Sequence, residues 1–181
     1  MNKRITLAFL ASATLLGLTA CSPSVHAEYT VYSSADALAE ASTDVVQVTI
    51  VSARNDTLES KPFTGTDPET NPYYGTDGKQ PSSDQTSVDV VIFEGTVNEA
   101  YKGPEKSGST IEISQLRNEA DGVSLKEGET YVLYLRNADP SYPAGIVGGS
   151  QGQYLYVDGE LTPANPEIGF ELSAEQLRSL E

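Results

Sequence analysis

The feature that most constrains the fold is an alternation of apolar and polar residues with a period of two. In segment 44–53, the β-branched residues Val46, Val48 and Ile50 occupy every second position. This spacing places their side chains on one face of an extended chain, so the segment predicts a half-buried β-strand. Four later segments carry a similar pattern and are also predicted strands: 87–101, 110–114, 130–135 and 152–157.

Only two short segments have helical character. Residues 33–41 are rich in alanine and begin with serines that can cap a helix. Near the other end of the chain, Gln176 stands three positions after Ser173, which is the spacing of a capping box. We therefore expect one short helix before the first strand and a second, over residues 173–180, at the end of the chain.

The long strand 87–101 contains Gly95 near its middle, which predicts a bulge or a sharp bend. A bent strand can contribute to two sides of a small barrel. Together with the order helix, strand, long loop, four strands and helix, this predicts a mainly β fold. We expect a five-stranded Greek-key barrel, partly open and OB-like, with short flanking helices. A β-sandwich is the alternative, although five strands are few for one.

Two segments interrupt the strand pattern. Residues 55–87 hold four prolines and three glycines among many polar side chains, and they predict a long polar loop. Residues 137–151 predict a second loop, which ends in Gly148-Gly149-Ser150-Gln151. We interpret this glycine-rich run as a flexible approach to the last predicted strand.

The first 20 residues have the three zones of a secretory signal peptide. Lys3 and Arg4 form a positive start, an apolar stretch follows, and small residues end the segment at Thr19 and Ala20. The apolar stretch is shorter than the ~20 residues that span a bilayer. A cleaved signal peptide is therefore expected rather than a permanent transmembrane helix.

The leader ends in Leu18-Thr19-Ala20-Cys21, which resembles the lipobox of bacterial lipoproteins. The resemblance implies that a diacylglyceryl group, with fatty chains such as palmitate, is attached to the Cys21 sulfur. It also implies cleavage before Cys21, frequent acylation of the new amino terminus, and a protein held at the cell membrane facing outside the cytoplasm. Residues 21–32 would then be a tether and residues 33–181 a single domain.

The later segments contain the patterns VVxVxI, GxTIxI, GExYVLYL and GxxQGxYxYxDG in this order. The order is similar to that of uncharacterised secreted lipoproteins of Gram-positive bacteria that contain OB-like barrels. A more distant similarity is to netrin-type domains, whose cysteines are absent here. The resemblance implies the same kind of barrel that the alternation predicts.

The charge balance is strongly acidic. The chain has 26 acidic and 11 basic residues, and two of the basic residues lie in the leader, so the mature part would carry a formal charge of about −17. Nucleic acids and anionic lipid headgroups are bound through basic patches. The composition therefore argues against nucleic acid as a partner and leaves the lipid anchor as the expected link to the membrane.

Histidine and cysteine are too scarce for several classes of catalysis. His26 is the only histidine and lies in the predicted tether, and Cys21, the only cysteine, would carry the lipid. Triads with a serine or cysteine nucleophile, and zinc sites, need these residue types within the fold. We therefore expect no enzyme of these classes. A carboxylate-based hydrolase stays open as an alternative because acidic residues are plentiful.

One acidic segment has part of the spacing of a calcium loop. Asp67, Glu69 and Asn71 place oxygen ligands at alternate positions, but Pro72 stands where the sharp-turn glycine of such a loop belongs. The segment therefore predicts a solvated acidic loop, and we expect neither a metal nor another cofactor.

The candidate ligand-binding residues are Gln151, Tyr154 and Tyr156, because OB-like barrels bind ligands on strand faces and nearby loops. The function predicted first is a binding module of the cell envelope, with a small ligand or an envelope protein as partner. The alternatives are a structural or assembly partner of another envelope protein, and the hydrolase. A concave groove would favour a small ligand, and a flat apolar patch would favour a protein partner. Two carboxylates that face each other would favour an enzyme.

Overall fold

The computed structural model describes residues 29–59, 66, 75, 87–117 and 123–180 of the 181-residue chain. Helix α1 spans Ala35–Ala41 and helix α2 spans Ala174–Arg178. A 3-10 helix covers Gly149–Gly152. The strands are β1 (Asp44–Leu58), β2 (Val88–Lys102), β3 (Thr110–Leu116), β4 (Thr130–Arg136), β5 (Ala144–Ile146), β6 (Gln153–Val157) and β7 (Glu160–Pro163).

Five of the seven strands form a closed ring. The sheet order is β1-β2-β3-β5-β4-β6-β7, and an additional pairing between β1 and β4 closes the first five strands on themselves. The β3–β5 pairing is parallel, and the other pairings are antiparallel. Strands β6 and β7 extend the sheet from β4, outside the ring. The mainly β class and the small barrel with short flanking helices are thus confirmed.

The fifth member of the ring differs from the prediction. The segment expected to be the fifth strand is β6, which pairs with β4 and β7 outside the ring. The ring instead uses β5, whose three residues lie in the segment predicted as the loop 137–151. That prediction was wrong because three residues are too few to show an alternation.

The first strand is longer than predicted. Residues 55–58, assigned from sequence to the long polar loop, continue β1 and pair with β2. Of the remaining residues of that predicted loop, only 59, 66, 75 and 87 lie within the described part of the chain. The candidate calcium segment and Cys21 lie outside the described residues.

Gly95 marks an irregularity between β1 and β2, as its position predicted. The register shifts between Ile50 and Ser52, directly opposite Gly95 and Glu94, so that β1 carries an extra residue there. A Cβ atom on Gly95 would stand 3.1 Å from the Thr49 carbonyl oxygen and still closer to a methyl group of Val48. The absence of a side chain lets β1 approach β2 closely at this bend.

The core has two compartments that share β4. The interior of the ring is filled by apolar side chains from all five of its strands, among them Val48, Ile113 and Leu133. A second cluster lies outside the ring and packs both helices and β6 against the opposite face of β4. Each of the residues 131–135 is therefore buried, which explains why this strand is apolar on both faces.

Both predicted helices form at the predicted places. In α1, the Ser34 hydroxyl accepts a hydrogen bond from the Ala37 N–H at 3.1 Å. In α2, Ser173 and Gln176 form a reciprocal capping box. Within the described residues, the structure contains no helix that is both long and apolar enough to cross a membrane.

Candidate ligand groove beside the N-terminal segment

Residues 29–32, at the end of the predicted tether, are held against the domain by Gln151. The Tyr32 N–H donates to Gln151 Oε1 at 2.9 Å, and Gln151 Nε2 donates to the Tyr32 carbonyl oxygen at 3.0 Å. The same nitrogen donates to the Ile168 carbonyl oxygen at 2.9 Å. The side chain of Gln151 is 2% exposed and connects two segments that are far apart in sequence.

The glycine-rich run before Gln151 supports the same segment. Gly148 and Gly149 have φ values of 68° and 56°, in the left-handed region that favours glycine. A Cβ atom on Gly149 would stand 2.8–3.1 Å from ring atoms of Tyr29. The run therefore forms a turn on which Tyr29 packs, whereas the sequence suggested a flexible approach to a strand.

Two of the three predicted ligand residues, Gln151 and Tyr154, are buried and form hydrogen bonds with the same segment, 168–170. Gln151 lies beneath residues 29–32. Tyr154 is fully buried in the outer cluster, where its hydroxyl oxygen accepts a hydrogen bond from the Phe170 N–H at 3.1 Å. Tyr156 is half-buried two residues further along β6. Gln151 and Tyr154 thus have structural contacts, and ligand binding by the three residues stays a prediction.

A groove lies elsewhere, where the ends of β1, β2 and β3 meet the loop before β5. It has a volume of about 680 Å³. One wall is formed by Leu58, Val88 and Leu116 at adjacent ends of β1, β2 and β3, and the other by segment 136–143 with Tyr142 and Pro143. We call it the ligand groove.

The two walls of the ligand groove are connected to each other. The Tyr142 hydroxyl donates to the Glu59 carbonyl oxygen at 3.0 Å, which joins the loop before β5 to the end of β1. Tyr29, which is 39% exposed, lines the groove at the side where the N-terminal segment meets the domain. The groove is therefore a concave site beside the end of the predicted tether.

The lining of the ligand groove carries charges of both signs, because Glu59 and Asp139 are acidic and Arg136 is basic. Arg136 is exposed there, and its Nε donates to the carbonyl oxygen of Ala41, the last residue of α1, at 2.9 Å. Gln115 also contributes to the lining, and its Oε1 accepts from the Leu125 N–H at 3.2 Å. The exposed surface of the walls is nevertheless mostly apolar, which suits a ligand with an apolar body and a small polar or charged group.

The interior beneath Gln115 contains an unsatisfied donor. Gln115 Nε2 lies 3.4 Å from Oε1 of Gln153, a residue that is 0% exposed. The Nε2 atom of Gln153 is buried and has no hydrogen-bond partner. An unpaired buried amide nitrogen costs stability, and the structure shows no contact that offsets this cost.

Among the described residues, the groups with clearly perturbed ionisation are tyrosines. Burial is the main cause that raises the pKa of Tyr101, Tyr131, Tyr134 and Tyr154. Hydrogen bonds to Glu99 and Glu129 add to the effect at Tyr101 and Tyr131, respectively. None of the four lines the ligand groove. Within the described residues, no group of three or more metal-ligating side chains is close enough to hold a metal ion.

Sequence comparison adds no family assignment. No protein-family model matches the chain, and no curated protein matches it in sequence. The groove residues Leu58, Val88, Leu116 and Tyr142 were not predicted, because each belongs to a different local segment and only the folded sheet places them together.

Proposed function

We propose that this protein is a lipid-anchored binding module on the outer side of the cell membrane, and that the ligand groove holds a small ligand with an apolar body. The observation that carries the proposal is the position of Tyr29, which lines the groove and stands only eight residues after Cys21. The lipobox pattern at residues 18–21 supports the anchor.

Chain length keeps the groove near the membrane. Eight residues span at most about 28 Å when fully extended. A lipid on Cys21 would therefore hold the Tyr29 side of the groove within this distance of the bilayer surface. The formal charge of about −17 on the mature chain favours attachment through the lipid rather than through anionic headgroups.

The lining favours binding over catalysis. Aliphatic and aromatic side chains supply most of the contact area in small-molecule sites, and a few polar groups orient the ligand. Here the lining carries one basic group, the Arg136 guanidinium, and two carboxylates, Glu59 and Asp139, which can orient a polar or charged end of the ligand. His26 falls in the predicted tether and Cys21 would be acylated, so the proposed activity is binding.

A fluorescent probe with an apolar body tests the groove. Anilinonaphthalene sulfonate has an apolar body and one anionic group, and its emission should rise on binding to the full-length protein in non-ionic detergent. Leu116→Gln places a polar group in the groove wall and should abolish the saturable part of the increase. Val157→Gln, at an exposed position on β6 away from the groove, is the matched control. Equal binding by both variants would contradict the proposed site.

A further inference from the structure

Residues 52–58, the second half of β1, extend beyond the closed ring. Strand β1 pairs with β4 only over residues 44–49, whereas its pairing with β2 continues to Leu58. Within the described part of the sheet, residues 52–58 have β2 as their only partner strand. The side chains of residues 52–57 are all exposed. Among the described residues, this half of β1 is therefore an open edge.

The backbone groups on the open edge can be identified from two hydrogen bonds. The Ala53 N–H donates to Glu127 Oε1 at 3.0 Å, and the Thr57 N–H donates to Asp56 Oδ1 at 2.8 Å. Both N–H groups therefore point away from β2. The register with β2 is uninterrupted from Ala53 to Thr57, and strand geometry repeats every two residues. The N–H of Asn55 must then point to the same open side.

The edge is acidic. Besides Asp56 and Glu127, which accept from its backbone, Asp89 lies opposite Thr57 on β2 and accepts a hydrogen bond from the Thr57 hydroxyl at 3.1 Å. The one basic residue of this half-strand, Arg54, is paired with Glu112 at 2.8 Å and with Asp56 at 3.7 Å. Carboxylates at an open edge prevent unspecific strand pairing, and they select partners by charge.

We propose that the open edge at residues 53–57 binds an extended, basic segment of another protein, which adds a strand to the sheet next to β1. Carbonyl oxygens of the partner accept hydrogen bonds from the N–H groups of Ala53, Asn55 and Thr57. Lysine or arginine side chains of the partner pair with Glu127 and Asp56, which release the two backbone donors that they now occupy. This binding depends neither on the ligand groove nor on the lipid anchor.

Charge decides between this partner and a second copy of the chain. Two copies joined edge to edge would bring Asp56 and Glu127 of each close to the same carboxylates of the other, and like charges across a strand pair are destabilising. A basic strand meets the opposite charge at each of these positions. The same argument predicts that binding weakens as salt is added, because exposed charge pairs are screened.

The proposal can be tested with a labelled peptide. Full-length protein in non-ionic detergent is titrated into fluorescein-labelled (Lys-Val)₃ and, separately, (Glu-Val)₃, with fluorescence polarisation as the readout. The basic peptide should bind and the acidic peptide should not. Asn55→Pro removes the central N–H of the open edge and should weaken binding at least about tenfold. Asn55→Thr keeps this N–H and should bind as the parent does.

Proline is tolerated on an edge strand where its nitrogen faces solvent, so Asn55→Pro should fold, which circular dichroism verifies. If Asn55→Pro does not fold, a second variant tests the same proposal. Glu127→Lys should weaken binding of the basic peptide, whereas Glu160→Lys, the same change on exposed β7, should not. Equal binding of both peptides, or Asn55→Pro or Glu127→Lys binding as the parent does, would overturn the proposal.

Discussion

Gln151 satisfies both backbone groups of Tyr32, accepting from its N–H at 2.9 Å and donating to its carbonyl oxygen at 3.0 Å. The two residues are 119 positions apart in the chain. A buried amide side chain thus takes the place of a neighbouring strand for one residue of the N-terminal segment. The segment that would lead from the membrane is thereby attached directly to the domain, next to the ligand groove.

Replacing this side chain should loosen that attachment. Gln151→Ala leaves three hydrogen-bonding groups on Tyr32 and Ile168 without their partner, and we expect the free energy of unfolding to fall by about 2–4 kcal/mol. Urea denaturation followed by circular dichroism measures the change. Ser150→Ala, in the same 3-10 helix, is the control and should change stability by less than about 0.5 kcal/mol. A loss below about 1 kcal/mol for Gln151→Ala would contradict the structural role.

The bend between β1 and β2 should be sensitive to a single methyl group. The Cβ of Gly95→Ala would contact Val48 and the Thr49 carbonyl oxygen, so we expect a loss of about 1–3 kcal/mol from overpacking. Gly145→Ala is the matched control on β5, because its Cβ would have no heavy atom within 4 Å. Thermal denaturation of both variants measures the difference. Similar melting temperatures would show that β1 does not cross β2 as closely as described.

Alkaline pH should unfold the protein through its buried tyrosines. The folded state raises the pKa of Tyr101, Tyr131, Tyr134 and Tyr154 above the usual value of 10.0, so these groups bind their protons more tightly when folded than when unfolded. Their contribution to stability is complete below about pH 10 and is lost as the pH rises beyond it.

An absorbance titration of phenolate formation tests this dependence. We expect at least four of the ten tyrosines to ionise only together with the loss of the circular dichroism signal. Denatured protein in urea, in which all ten should titrate near pH 10, is the reference. Ionisation of all tyrosines near pH 10 in the folded protein would show that these side chains are accessible.

The proposed lipid anchor predicts that Cys21 carries acyl chains in the native protein. The native protein should begin at an acylated Cys21, and Cys21→Ala should abolish the acyl mass and release the protein from the membrane fraction into the medium or periplasm. Mass spectrometry and cell fractionation measure the two effects. Ser22→Ala leaves the lipobox cysteine unchanged and serves as the control. An intact leader or a free thiol at Cys21 in the native protein would contradict the anchor.

Local patterns in the sequence were sufficient to predict the elements whose stability depends on residues close to them in the chain. The alternation around Val48, the capping residues Ser34 and Ser173, and the bend at Gly95 were all predicted and all appear in the structure. In each case the pattern reflects an interaction within a few residues or a simple choice between core and solvent.

Only the tertiary structure decided which strand closes the ring, where the groove lies and what Gln151 contacts. Ala144 joins the ring through a parallel pairing with Ile113, and the groove requires the ends of three strands and a loop to meet. These contacts join residues that are distant in sequence, and side-chain periodicity carries no information about such partners. The alternation therefore determined that this chain forms a small β-barrel, whereas long-range pairing determined where its groove and its open strand edge lie.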